Sequence, residues 1–180
     1  FEVVGHKYAD LSNNDYGVAL MNDCKYGYSI LDSTIDLNLL RSPNNPDADA
    51  DLGRHSFVYS FYPHKGDLIR SDVIKESTLL NHAPILFDGY QNLSTKSQID
   101  FIGKGIEISA FKKSEFKNEL IIRAVETLGR NSEGNIQFTG DLIETNLLEQ
   151  KNIGTKKNVK DIFKLRLKPF EIKTFRIKRK

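Results

Sequence analysis

Phe163-Lys164-Leu165-Arg166-Leu167-Lys168 alternates strictly between apolar and basic residues. Pro169 interrupts it, and Phe170-Glu171-Ile172-Lys173-Thr174-Phe175-Arg176-Ile177 resumes the alternation. A period of two places one set of side chains inward and the other in water, which is the pattern of a half-buried β-strand. Phe175 and Ile177 are out of phase with Phe170 and Ile172. A β-bulge near Thr174 is the expected device for restoring the register. Lysines on this last strand are also expected to discourage pairing between sheet edges.

The same period recurs along the chain. Ile35, Leu37 and Leu39 alternate with polar residues, as do the runs Gly105–Ser109 and Asn135–Thr139. Phe57, Tyr59 and Phe61 share one phase, and core packing is the simplest explanation for them. Leu120-Ile121-Ile122-Arg123-Ala124-Val125 is nearly all apolar, as a strand covered on both faces is. Phe1-Glu2-Val3-Val4 also reads as a strand. Turn residues punctuate these runs at 10–15, 42–53, 65–67, 129–134 and 151–158. Short strands with such punctuation predict an all-β fold, an antiparallel β-sandwich. The best helical candidate is a turn at Asp72–Leu80.

The 180 residues fit one domain or two small ones. A boundary is expected in Ser77–Tyr90, giving domains 1–80 and 81–180. Charge divides there too. Residues 1–90 hold 7 Lys+Arg against 13 Asp+Glu, and residues 91–180 hold 19 against 11. From Lys156 onward there are 11 basic and 2 acidic residues, but they alternate with inward apolar positions. That favours a solvated sheet face over a nucleic-acid surface, which displays aromatics beside its cations. No apolar run reaches the ~18 residues of a membrane helix. Cys24 is the only cysteine, so no internal disulfide forms. One cysteine and no visible signal fit a bacterial cytoplasm.

Chemistry-bearing motifs are sparse. No phosphate-binding glycine loop, CxxC or HExxH is present, and His6, His55, His64 and His82 are scattered, which suits hydrogen-bonded structural histidines. Asp47, Asp49 and Asp51 open like a calcium loop, but the glycine is Gly53, one position late. Val58 also stands where a bidentate carboxylate is needed. Asn92-Leu93-Ser94 is a glycosylation sequon, meaningful only in a secreted protein. No metal site and no catalytic constellation emerges, and Cys24 has no base beside it.

Longer blocks carry more information. His6-Lys7-Tyr8-Ala9-Asp10-Leu11-Ser12 is followed by Tyr16-Gly17-Val18-Ala19-Leu20-Met21-Asn22-Asp23-Cys24-Lys25-Tyr26-Gly27-Tyr28. Next come Leu39-Leu40-Arg41-Ser42-Pro43, Asp51-Leu52-Gly53-Arg54-His55 and Tyr62-Pro63-His64. Asn146-Leu147-Leu148-Glu149 and Pro169-Phe170-Glu171-Ile172-Lys173-Thr174-Phe175 complete the set. Their order resembles the C-terminal β region of family 38 glycoside hydrolases, the retaining α-mannosidases. Tyr8 stands where the family pattern has tryptophan.

The resemblance implies that residues 1–80 end a large central sandwich of galactose-mutarotase-like type and that 81–180 form a small terminal sandwich. It implies catalytic carboxylates and zinc in an N-terminal catalytic domain of the same polypeptide, so no catalytic residue, metal or cofactor falls in this chain. Mannosides or oligosaccharides are then substrates of the parent enzyme. Cleft-edge or interdomain candidates are Asn22, Asp23, Lys25 and Tyr26 in one turn, and Arg41, Asp51 and His55 in a long loop. Mutual pairing of Arg41, Asp51 and His55 to fix that loop is the simpler account of those three. A piece cut from a longer sandwich should expose sheet edges, so dimerisation or strand exchange is expected in isolation and is read by light scattering. The competing function is a freestanding carbohydrate-binding or interaction module using the tyrosines. An independent hydrolase is a third.

Overall fold

The computed structural model describes residues 1–86, 88, 99–116 and 118–179; the sequon at Asn92 lies outside them. The chain forms two compact units, Phe1–Asp88 and Gly89–Lys180. Among the described residues no helix is long and apolar enough to cross a membrane.

The first unit contains β1 (Val3–Val4), β2 (Tyr8–Ser12), β3 (Tyr16–Asn22), β4 (Gly27–Leu31), β5 (Thr34–Asn38), β6 (Tyr59–Lys65) and the helix α1 (Val73–Asn81). They make two three-stranded antiparallel sheets, ordered β1-β4-β5 and β2-β3-β6. One face of the second sheet carries Ala19 and Met21, which pack with Val73 and Leu80 of α1 and with Tyr8, Tyr62 and Leu68. The other face carries Leu11, Val18, Leu20 and Phe61 around a groove of about 490 Å³.

Three expectations change in this unit. The helix is a full nine-residue element whose fully buried positions are Val73 and Ser77. Asp10 belongs to β2 and not to a turn. Tyr59 and Phe61 are 58% and 66% exposed. The covered phase of β6 is Ser60, Tyr62 and His64, so core packing within this chain does not explain the aromatic alternation.

The second unit contains β7 (Asp100–Gly103), β8 (Ile106–Lys113), β9 (Leu120–Glu126), β10 (Ser132–Gln137), β11 (Gly140–Thr145), β12 (Lys157–Val159), β13 (Ile162–Leu167) and β14 (Ile172–Arg179). A three-stranded sheet, β13-β10-β7, packs on a five-stranded one, β12-β11-β14-β9-β8. Between them lies a closed core that includes Ile122, Ile136, Phe138, Leu142, Leu165, Phe175 and Ile177. Each such side chain contributes roughly 1.5–3 kcal/mol on burial. The described residues therefore form an antiparallel all-β fold with one short helix.

Two expectations about the last strands also change. β14 pairs without interruption to β9 and β11, so no bulge lies at Thr174. The alternation is lost in the sequence because Thr174, Phe175, Arg176 and Ile177 are all buried, as on a strand covered on both faces. The register shift in this sheet sits between Ile108 and Ala110. β14 is thus central, and the lysines at sheet edges lie on β8, β12 and β13.

Candidate cleft-edge site

Asn22 ends β3 and organises the turn that follows. Its Oδ1 accepts the backbone N–H groups of Cys24 and Lys25 at 3.0 and 2.5 Å. Its Nδ2 donates to the Tyr28 hydroxyl, and its carbonyl accepts Nδ2 of Asn81 at 3.0 Å. Asn22 and Tyr28 are each 1% exposed. Burial pushes the Tyr28 hydroxyl pKa up, against the pull of the Asn22 bond. Asn22 is a buried turn-former and presents no side-chain surface. Asn22→Ala is expected to lower stability by roughly 2–3 kcal/mol, because two turn N–H groups and a buried hydroxyl lose their partner. Urea denaturation checks this.

The exposed part of the turn is Asp23, Cys24 and Tyr26. Asp23 accepts the Val58 N–H at 3.0 Å and donates its own N–H to the Val58 carbonyl at 3.1 Å, which ties the turn to the entry of β6. Hydrogen bonds from Cys24 and Val58 hold the Asp23 carboxyl below the ordinary range. The same Asp23 contact pushes the Cys24 thiol up, so this cysteine remains a thiol and a poor nucleophile. Lys25 Nζ lies 4.9 Å over the Phe57 ring. Tyr26, half exposed, packs on His6 at 4.7 Å between centroids. With Tyr59, this is a mixed aromatic and charged surface on a rigid turn.

Arg41, Asp51 and His55 are separate from it in their bonding. Arg41 pairs with Glu2 Oε2 at 3.1 Å, on an exposed face where Glu2 also accepts from Asn38. Asp51 caps the Ser42 N–H at 3.0 Å, and His55 Nε2 meets the Asp51 carbonyl oxygen at 2.8 Å. The loop is closed by Asp51 and His55. Arg41 stays outside that closure: among the described residues no bond joins it to either.

A buried cluster that the sequence did not reveal lies around Gly17, at the other end of β3 from Asn22. His64 Nε2 and Asp10 Oδ1 are 2.7 Å apart, with side chains 4% and 6% exposed. Ser12 Oγ donates to the other Asp10 oxygen at 2.5 Å. Asp10 is on β2 and His64 on β6, and they meet across β3 because Gly17 has no side chain there. A Cβ on Gly17 would lie 2.3 Å from His64 Cε1 and 2.4 Å from Ser12 Cβ. The order Ser–Asp–His is wrong for nucleophilic catalysis, since the histidine does not touch the serine oxygen. Among the described residues no group of three or more His, Cys, Asp and Glu could hold a metal ion.

Comparison with known proteins decides the family. The family profile of the glycosyl hydrolases family 38 C-terminal domain matches residues 1–49, and that of the family 38 C-terminal beta sandwich domain matches residues 105–175. The chain belongs to the C-terminal β region of glycoside hydrolase family 38. It is 43% identical to alpha-mannosidase G of Dictyostelium discoideum over 98% of its own length and 17% of that protein. It is 32% identical to an alpha-mannosidase of Saccharomyces cerevisiae over 98% of its length and 19% of that protein. The family 38 chain thus spans about a fifth of these curated relatives. A solved alpha-mannosidase from Enterococcus faecalis V583 superposes on 99% of it with a TM-score of 0.74 at 21% identity, covering 21% of the solved chain. That likeness concerns the fold.

Proposed function

We propose that this chain is the non-catalytic C-terminal β portion of a retaining α-mannosidase. The single observation carrying this reading is that full-chain similarity to α-mannosidases occupies only a fifth of their length. Hydrolysis of α-mannosidic bonds, its two carboxylates and its zinc then belong to a catalytic domain elsewhere in the same polypeptide. The role of the first unit is to pack on that domain and shape one wall of the cleft. Two features support such packing: the uncovered apolar face around Phe61, and the exposed Tyr26 and Tyr59 beside the rigid Asn22 turn. A wall built on strands positions a sugar better than one built on loops.

Arg41→Ala in a full-length enzyme tests the cleft-edge part. The Arg41–Glu2 pair is exposed, so its removal costs at most ~1 kcal/mol of stability. A cleft role predicts a fall in kcat/KM on the order of tenfold or more with the melting temperature almost unchanged. Unchanged kcat/KM removes Arg41 from the cleft.

A further inference from the structure

Among the described residues β13 pairs with β10 alone, and its other edge carries no strand. The Phe138 N–H donates to the Asp161 carbonyl at 2.8 Å. By the alternation of an antiparallel ladder, Phe163, Leu165 and Leu167 then direct their backbone groups at β10, and Ile162, Lys164 and Arg166 direct theirs outward. Lys173 Nζ, at 3.2 Å from the Arg166 carbonyl oxygen, confirms the outward direction.

The smaller sheet has three strands and the larger five, and a groove of about 330 Å³ opens beside this edge. Leu142, Phe163, Leu165 and Phe175 line it, with Lys157 and Lys173 at its rim. Glu144 is its one carboxylate. Lys164 and Arg166 also border the groove; they share the carboxylate of Glu133, at 2.9 and 2.8 Å, and Lys160 and Lys168 are exposed nearby. The edge therefore presents outward backbone groups, of which the Arg166 carbonyl already accepts Lys173 Nζ, beside a groove lined by both apolar and cationic residues. A second copy docking β13 on β13 would set these cations against their own kind, which is unfavourable.

We propose that this edge takes up an extended acidic segment of a different polypeptide by β-strand addition. Its apolar residues would fill the groove and its alternate Asp or Glu residues would face Lys164 and Arg166. This proposal is independent of the mannosidase reading.

The test uses the full 180-residue chain and a short synthetic peptide in which glutamate and valine alternate. Backbone NMR should show saturable shifts concentrated at the amides of Ile162, Lys164 and Arg166. The matched lysine–valine peptide should give none. Arg166→Pro removes one outward N–H without touching the β10 ladder, and Lys164→Glu reverses one edge charge without touching the backbone. Each should weaken binding on the order of tenfold. Equal binding of both peptides, shifts spread over all the lysines without the edge amides, or binding by the Lys164→Glu chain as tight as by the original would each overturn the proposal.

Discussion

Replacing Glu126 with alanine is expected to destabilise the second unit by roughly 3–5 kcal/mol, the scale seen when one side of a buried charged network is removed. Glu126 ends β9 and is 1% exposed. Its Oε1 accepts the Leu128 N–H at 3.0 Å and the Ser132 hydroxyl at 2.9 Å. Its Oε2 accepts the N–H groups of Gly129, Arg130 and Phe170 at 2.8, 3.3 and 3.0 Å. One carboxylate thus fixes the β9–β10 turn and the turn between β13 and β14 together. Two left-handed residues meet there, Gly129 at φ 67° and Phe170 at φ 57°. A Cβ on Gly129 would come within 2.7 Å of the Phe170 ring, which ties the glycine to this close approach.

This cradle also sets a pH dependence. Burial pushes the Glu126 carboxyl up, but the bonds from Phe170, Leu128, Ser132 and Gly129 outweigh it and hold the pKa below the ordinary value. Glu149, 3% exposed, is likewise lowered: burial opposes ionisation, and the Lys112 ammonium and Glu115 N–H prevail. A depressed carboxyl pKa stabilises the fold above the unfolded value of about 4.3. That contribution is lost as pH falls through the lower, folded value. Acid unfolding of the second unit should therefore occur below pH ~4 and become less steep in Glu126→Ala. Circular dichroism against pH reads both effects. Unchanged stability and acid profile in the variant would show that Glu126 is not the clasp.

Gly17→Ala should be as damaging to the first unit. The new methyl group overlaps the His64 ring and Ser12. Overpacking and loss of the buried Asp10–His64 pair together predict a cost on the order of 3–5 kcal/mol. NMR should show signals of Ala19 and Met21 losing dispersion while those of Ile136 and Leu165 persist. A thermodynamic cycle sharpens the test. Asp10→Leu and His64→Leu should each strand a buried polar partner, so the double variant should be more stable than the two single losses added. Strict additivity would mean the pair contributes no coupling.

These two clusters show what the linear sequence exposes and what it hides. Strands were legible because period-two patterning is local: Phe163 to Lys168 states its own inward face. The phase of β6 was not, because Tyr59 and Phe61 are more apolar than Ser60 and His64, yet the covering helix packs on the latter side. β14 read as bulged because a strand buried on both faces loses the alternation by which register is judged. In the candidate turn, Asp23, Lys25 and Tyr26 read as one feature because they fall within four positions of one another. Asn22 differs from them only by burial, which spacing does not encode. Asp10 and His64 lie 54 positions apart, and nothing in either neighbourhood names the other. Arg41 was grouped with Asp51 and His55 by proximity in sequence, whereas Glu2, brought alongside by β1 and β4, takes its charge.

The central claim is that this chain is scaffolding for a sugar-cleaving centre located elsewhere. Its most direct test is aryl α-mannoside hydrolysis by purified residues 1–180, with and without added zinc. The account predicts a folded protein with no turnover above the uncatalysed rate under either condition. Sustained hydrolysis by this chain alone would contradict it.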